Sequence, residues 1–304
     1  MEIALSTLLA WFLVGLYRGL ARRNGWGQTV RQDGPETHHV KSGTPNMGGV
    51  PLVIAILVTW VSLPISDKFD FRELVLLASV VLMAAIGFVD DWIKVRDRQK
   101  GRPSDGLHAR YKLAFQLLVA VGFGVCAAKI SPLGVPGWGP FFDAPLYATI
   151  MLAAVNAFNF TDGLDGLLGG VAVLVLLPIL WVSPLVGIAV GATLGFLWYN
   201  LRPASVFMGD TGSFALGAVA AAGYILYDWT WSLPVVAIVP VLEVLSVFLQ
   251  VGYFRQTGGK RLFLMTPLHH HFEKKGMPEE KITGRFWLLT AVAVAMVWSF
   301  KGLP

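Results

Sequence analysis

Charge is what this sequence has least of. Only 14% of its 304 residues are Asp, Glu, Lys or Arg, against 55% hydrophobic, where a soluble domain carries about 25% charged positions. With a mean hydropathy of +0.62, it cannot clothe a water-facing surface and reads as an integral membrane protein. Cysteine is nearly absent too. Cys126 is single and lies inside an apolar run, which excludes an intramolecular disulfide and any cysteine-based metal site. No Gly-rich loop ending in Lys-Ser or Lys-Thr is present, so nothing indicates ATP hydrolysis. Nor is there a 20–50-residue repeat or a low-complexity tract, and residues 1–304 read as one polytopic membrane domain.

What is abundant agrees with that class. There are 33 Gly and 11 Trp; Gly is tolerated in spanning helices and Trp favours membrane interfaces. Apolar windows of roughly 17 to 22 residues, enough to cross ~30 Å of hydrocarbon, fall near 3–21, 50–66, 73–90, 112–130, 145–160, 167–183, 185–201, 212–228, 231–253 and 286–303. Pro178, Pro234 and Pro240 stand where they can kink two of them. The first window lacks a preceding basic segment and a small-residue cleavage site, so a retained helix is expected. With the N-terminus outside, 19 of the 24 basic residues fall in inner loops, as the retention of Lys and Arg in the cytoplasm requires. The expected fold is therefore all-α, with about ten transmembrane helices and both termini outside. The basic loops read as anchors beside anionic lipid, with no nucleic-acid partner.

In this topology every acidic cluster lies on the cytoplasmic side, together with the run His269, His270 and His271. Asp90 and Asp91 end the third window, and Lys94 shares their face if the helix continues one turn. Asn156, Asn159, Asp162 and Asp165 recur at intervals of three, a slowly drifting polar stripe, with Gly163 and Gly166 allowing close approach of backbone or ligand. Their oxygens suit a hard cation such as Mg²⁺ or a hydroxyl-bearing ligand. Phe207 to Ser213 reads as a tight turn and helix N-terminus, where free N–H groups attract anions, Asp210 can ligate a metal and Phe207 can stack on a base. Three consecutive histidines cannot face one point, so phosphate contact by one or two of them fits better than a three-His metal site. Lys112, opening the fourth window, is the basic residue best placed for a phosphate. The Asp90–Asp91 pair, the Asn/Asp stretch and the Phe207–Ser213 turn also admit a purely structural reading, as helix-end solvation, Asx capping or a Gly turn. Together, oxygen ligands, basic loops and an aromatic at a membrane surface describe phosphoryl transfer between a soluble nucleotide donor and a lipid acceptor.

The segments Gly43–Gly49, Asp90–Lys94, Asn156–Gly166, Phe207–Ser213 and Pro267–Glu273 resemble, in order, the motifs of the phospho-N-acetylmuramoyl-pentapeptide-transferases of bacterial peptidoglycan synthesis. The paired Asp and the Asn/Asp stretch are shared with the wider polyprenyl-phosphate N-acetylhexosamine-1-phosphate transferases, whereas the triple His followed by Phe-Glu marks the muramoyl branch. Asn46 and Met277 depart from the pattern, standing where Thr and an aromatic are common. The resemblance implies a ten-helix enzyme of the bacterial plasma membrane, usually a homodimer, with its active site facing the cytoplasm. It implies transfer of phospho-MurNAc-pentapeptide from UDP-MurNAc-pentapeptide to undecaprenyl phosphate, giving lipid I and UMP with Mg²⁺. It further implies Asp210 as Mg²⁺ ligand and Asp90 and Asp91 beside the transferred phosphate. Asn159, Asp162 and Asp165 would line the nucleotide and sugar end, and Phe207 would lie near uracil. Lys94, Lys112, His269, His270 and His271 would hold phosphates or sugar, and Asn46, Asn200, Gly209 and Ser213 complete the implied substrate-binding set.

Two routes fit these residues. In one, Asp90 keeps the lipid phosphate ionised and its oxygen attacks the sugar-linked phosphorus directly; in the other, an Asp attacks first and the lipid resolves a phospho-enzyme. A UDP-GlcNAc transferase keeps the chemistry but not the triple-His motif. An ion-coupled transporter would put acids near the bilayer midplane rather than at one face.

Overall fold

The computed structural model of the chain describes residues 1–27, 43–64, 70–102, 106–134 and 139–301. Among them the chain is helical, with a single isolated bridge pairing Gly27 with Pro45. The helices are α1 (Glu2–Arg23), α2 (Gly49–Ser62), α3 (Phe71–Gln99), α4 (Ala109–Ile130), α5 (Pro140–Thr161), α6 (Leu167–Leu176), α7 (Pro184–Asn200), α8 (Gly209–Leu226), α9 (Leu233–Val236), α10 (Ile238–Gln256), α11 (Leu268–Lys274) and α12 (Glu279–Lys301). Local signals start several of them. Asp70 accepts from the N–H of Arg72 at 2.9 Å to cap α3, and Ser183 accepts from Val186 to cap α7, which begins on Pro184.

Among the described residues, each apolar window coincides for most of its length with a helix or with consecutive helical segments. Six helices, α1, α3, α4, α5, α10 and α12, are long and apolar enough to cross a membrane, and α2, α6 with its 3₁₀ extension Leu177–Ile179, and α7 are shorter apolar helices. Two windows are interrupted at proline. Pro178 lies in the 3₁₀ extension, and the window at 231–253 divides into a 3₁₀ turn at Thr230–Ser232, the short α9 holding Pro234, and α10. Proline lacks the N–H that a continuous helix would need there. Arg31, Lys41 and Lys68, which enter the charge count, lie outside the described residues.

The core is built on α8, which is buried from Thr211 to Leu226 and packs against α3, α5 and α2. Its small residues admit close neighbours, as helix packing in lipid requires. A Cβ on Gly87 of α3 would fall 2.4 Å from the carbonyl oxygen of Asp210, so only glycine lets α3 meet the first turn of α8. The outer helices instead expose apolar side chains, among them Leu8, Leu118, Phe248 and Leu288, the surface that hydrocarbon would cover.

Candidate active site

The close approach of α3 to α8 assembles the site. Asp90 and Asp91, both fully buried on α3, and Asp210, in the first turn of α8, each offer an oxygen within 4.8 Å of the others. Lys112, from the first turn of α4, bridges two of them, with Nζ 3.0 Å from Asp90 Oδ1 and 2.8 Å from Asp210 Oδ2. Lys94 lies one turn beyond Asp90 because α3 continues to Gln99; its Nζ is 2.5 Å from Asp90 Oδ2 and 3.5 Å from Asp210 Oδ2. Asn159, in the last turn of α5, donates from Nδ2 to Asp210 Oδ1 and to Ser213 Oγ, both at 3.0 Å. Four helices thus converge on Asp210, and two ammonium groups neutralise its cluster.

The adjacent aspartates have different partners. Asp91 accepts from the N–H groups of Asp210 and Thr211 at 3.1 and 2.9 Å and from the Thr211 hydroxyl at 2.7 Å. It caps α8 from a neighbouring helix and meets the positive end of its dipole. Gly209 belongs to the same arrangement, since its φ of +77° is left-handed and a Cβ there would come 2.7 Å from Asp91 Oδ2. Asp90 instead accepts from Lys94, Lys112 and the N–H of Leu107 at 2.9 Å.

The polar stripe expected along 156–165 is cut short. Helix α5 ends at Thr161 and Gly166 adopts a φ of +74°, so Asn156 and Asn159 share a helix face while Asp162 and Asp165 belong to the following turn. Burial pushes the Asp162 carboxyl up to about 8, the charges of Asp210 and Asp91 adding to the rise. Asp165 lies at the base of the turn: its Oδ2 accepts from Ala204 N at 3.0 Å, and its own N–H donates to Glu279 at 2.7 Å. Asn200 joins the same scaffold, accepting from Gly166 N at 3.1 Å and donating to Val206 O at 3.0 Å. Phe207 is half-buried and pairs by its main chain, donating to Pro45 O and accepting from Gly48 N, both at 2.8 Å. Asn46 is buried behind it, its carbonyl accepting from Tyr17.

The three histidines lie on α11 and face three ways. His269 is 1% exposed, with Nδ1 3.1 Å from Oε1 of the buried Glu243 and its ring over Gly163, where a Cβ would fall 2.1 Å from Nε2. His270 Nδ1 is 2.7 Å from Glu273 Oε2, and His271 Nδ1 accepts from Leu264 N at 3.1 Å. His269 thereby reaches the Asp162 turn. Sequence reasoning missed Glu243, Glu279 and Thr211. For Glu243 the signal was present, a lone acid inside an apolar window; Glu279 and Thr211 reveal themselves only through distant partners.

Comparison with known proteins shows the family. The model of glycosyl transferase family 4 matches residues 73–228, the stretch from the first turn of α3 past the end of α8. The chain is 51% identical to the phospho-N-acetylmuramoyl-pentapeptide-transferase of Deinococcus deserti and 45% identical to that of Deinococcus radiodurans, in both cases over 99% of either chain. It is 38% identical to that of Clostridioides difficile, over 96% of this chain and 95% of the relative. Identity of this extent over nearly the whole of both chains shows the family: the chain belongs to the phospho-N-acetylmuramoyl-pentapeptide-transferases of glycosyl transferase family 4.

Proposed function

We propose that the protein transfers phospho-MurNAc-pentapeptide from UDP-MurNAc-pentapeptide to undecaprenyl phosphate, forming lipid I and UMP in bacterial peptidoglycan synthesis. The observation that carries this reading is the convergence of Asp90 and Asp210, from two helices, on the single ammonium of Lys112. Carboxylates and ammonium groups at one point can hold a metal and a phosphate together, and phosphoryl transfer needs little else from a protein than positioning and charge. The donor set suits Mg²⁺, being all hard oxygen. Asp210 would be its principal ligand, with Asp90 beside it, whereas Asp91 has both oxygens engaged by α8. When bound, the cation neutralises the donor's diphosphate and its leaving UMP. Lys94 and Lys112 hold phosphate oxygens, Asp90 keeps the acceptor phosphate ionised for direct attack on the sugar-linked phosphorus, and Asn159 orients Asp210. The Asp162 turn, Phe207 and His269 receive the nucleotide and sugar.

The ten apolar helices are taken to span the bacterial plasma membrane, with both termini outside and this site facing the cytoplasm; the distribution of Lys and Arg supports that orientation. A homodimer is proposed on the family resemblance. The test is UMP release by detergent-purified protein given UDP-MurNAc-pentapeptide, undecaprenyl phosphate and Mg²⁺, with UDP-GlcNAc and EDTA in parallel. Release from the muramoyl donor alone, stopped by EDTA and restored by Mg²⁺, is expected. Release from UDP-GlcNAc alone would assign the protein to the sister branch.

A further inference from the structure

Asn156 belongs to the polar stripe, yet the transfer chemistry does not use it. It lies on α5 one turn before Asn159, and its Nδ2 donates to the carbonyl of Leu152 at 2.8 Å and to Oε1 of Gln116 on α4 at 3.0 Å. A main-chain carbonyl only accepts, so the Leu152 contact identifies the nitrogen end of the Asn156 amide. That orientation sets Gln116 as well. Its oxygen faces Asn156, and its Nε2, on a side chain 1% exposed, has no hydrogen-bond partner among the described residues.

The position of this unsatisfied donor is informative. Gln116 follows Lys112 by one turn on the same helix face, and Lys112 and Asn159 both bond Asp210. Because α4 begins at the site and α5 ends there, the amide pair lies one turn, roughly 5 Å, deeper along these apolar helices than the groups around Asp210. An unpaired buried N–H is costly, and an apolar side chain would avoid that cost. Asn156 is only half-buried, so the pair borders the protein surface at its Asn156 end, with Gln116 buried behind it.

We propose that Gln116 Nε2 donates to a phosphate oxygen of the lipid acceptor, a phosphate monoester arriving from the bilayer side, with Asn156 as the residue that positions it. This rests on the transferase reading above. The nucleotide donor comes from water, whereas a polyprenyl phosphate carries its head group at the edge of the hydrocarbon. A donor one turn deeper than the lysines therefore meets the acceptor phosphate rather than the nucleotide's diphosphate.

The experiment is steady-state kinetics in detergent micelles for wild type, Q116M and Q116E, varying undecaprenyl phosphate and UDP-MurNAc-pentapeptide in turn. Each variant is also melted. Q116M removes the amide at nearly constant volume; Q116E retains an oxygen for Asn156 and carries the test if Q116M does not fold. Loss of a hydrogen bond to a charged group predicts a KM for undecaprenyl phosphate raised about 10-fold or more. The KM for the nucleotide donor is expected to stay as in wild type, and the Q116M midpoint to change little, since removal of the unpaired donor offsets loss of the bond from Asn156, whose Nδ2 keeps the Leu152 carbonyl. An unchanged lipid KM, or both KM values rising together, overturns the proposal, as does a lowered Q116M midpoint with unaltered kinetics, the behaviour of a mere helix staple. Wild type that releases no UMP overturns the transferase reading and this inference with it; an active wild type with a flat lipid KM in the variants overturns this inference alone.

Discussion

Both ends of α3 carry buried carboxyl groups, roughly 26 Å apart along an ideal helix. At the first turn Glu73, 2% exposed, accepts from the Tyr227 hydroxyl and from Leu185 N at 3.3 Å, the latter in the first turn of α7. No cation is bonded to it among the described residues. At the far end Asp91 does the same for α8, its oxygens taken by the N–H groups of Asp210 and Thr211. Its neighbour Asp90 faces the ammonium groups of Lys94 and Lys112 and, across them, the carboxylate of Asp210. Burial alone therefore does not distinguish an acid that builds from an acid that reacts; the partners do. A carboxylate stapled to main-chain N–H groups is committed, whereas one held by mobile ammonium groups can exchange them for a metal or a phosphate. By this criterion Asp91 resembles Glu73 more than the residue beside it.

The comparison is sharpest at Asp210. Asp210→Ala is expected to lower UMP release by roughly 1000-fold, the scale of losing a principal charge-stabilising group, with the thermal midpoint close to wild type. Asp90→Asn, which keeps shape but not charge, is expected to cost about 100-fold in the same assay. Asp91→Ala should be read first in a melting curve: removing the cap of α8 costs about 1–2 kcal/mol, more than Asp90→Asn costs, and turnover falls because Asp210 is no longer held. An Asp91→Ala protein that melts like wild type yet releases no UMP would move Asp91 to the reactive side of the comparison. The smallest effect is assigned to Glu73→Gln, a loss of about 1 kcal/mol in stability with turnover per folded molecule unaltered. Loss of turnover without loss of stability in that variant would break the distinction altogether.

Much of this was legible in the sequence because it is local. The apolar windows, Lys94 on the face of Asp90, the helix opening at Gly209 and the divergence of the three histidines all follow from spacing and composition over fewer than about 20 residues. The polar stripe is shorter than its spacing suggests, because Asp162 and Asp165 keep the interval of three although the chain leaves the helix at Asp162 and Gly166 already opens α6. Glu279, at the start of α12, could not be identified in advance: its role depends on Asp165 N and on Arg202 Nη1, 2.5 Å away, both remote in sequence. The helix that carries the triple histidine is likewise a tertiary result, held by Glu243 from α10, which accepts from the His269 N–H at 3.2 Å.

By itself, then, the sequence determined that this is a bundle of apolar helices with polar clusters at their ends, since a backbone in hydrocarbon must satisfy its own hydrogen bonds and needs a set length of apolar residues to do so. Tertiary structure decided which of the clustered acids meet. Asp91 reaches α8 across an interval of 119 residues, and Lys112 reaches Asp210 across 98. That approach depends on glycine at position 87 and on the small residues of α8, and the different partners of two adjacent aspartates follow from the direction each side chain takes out of one helix.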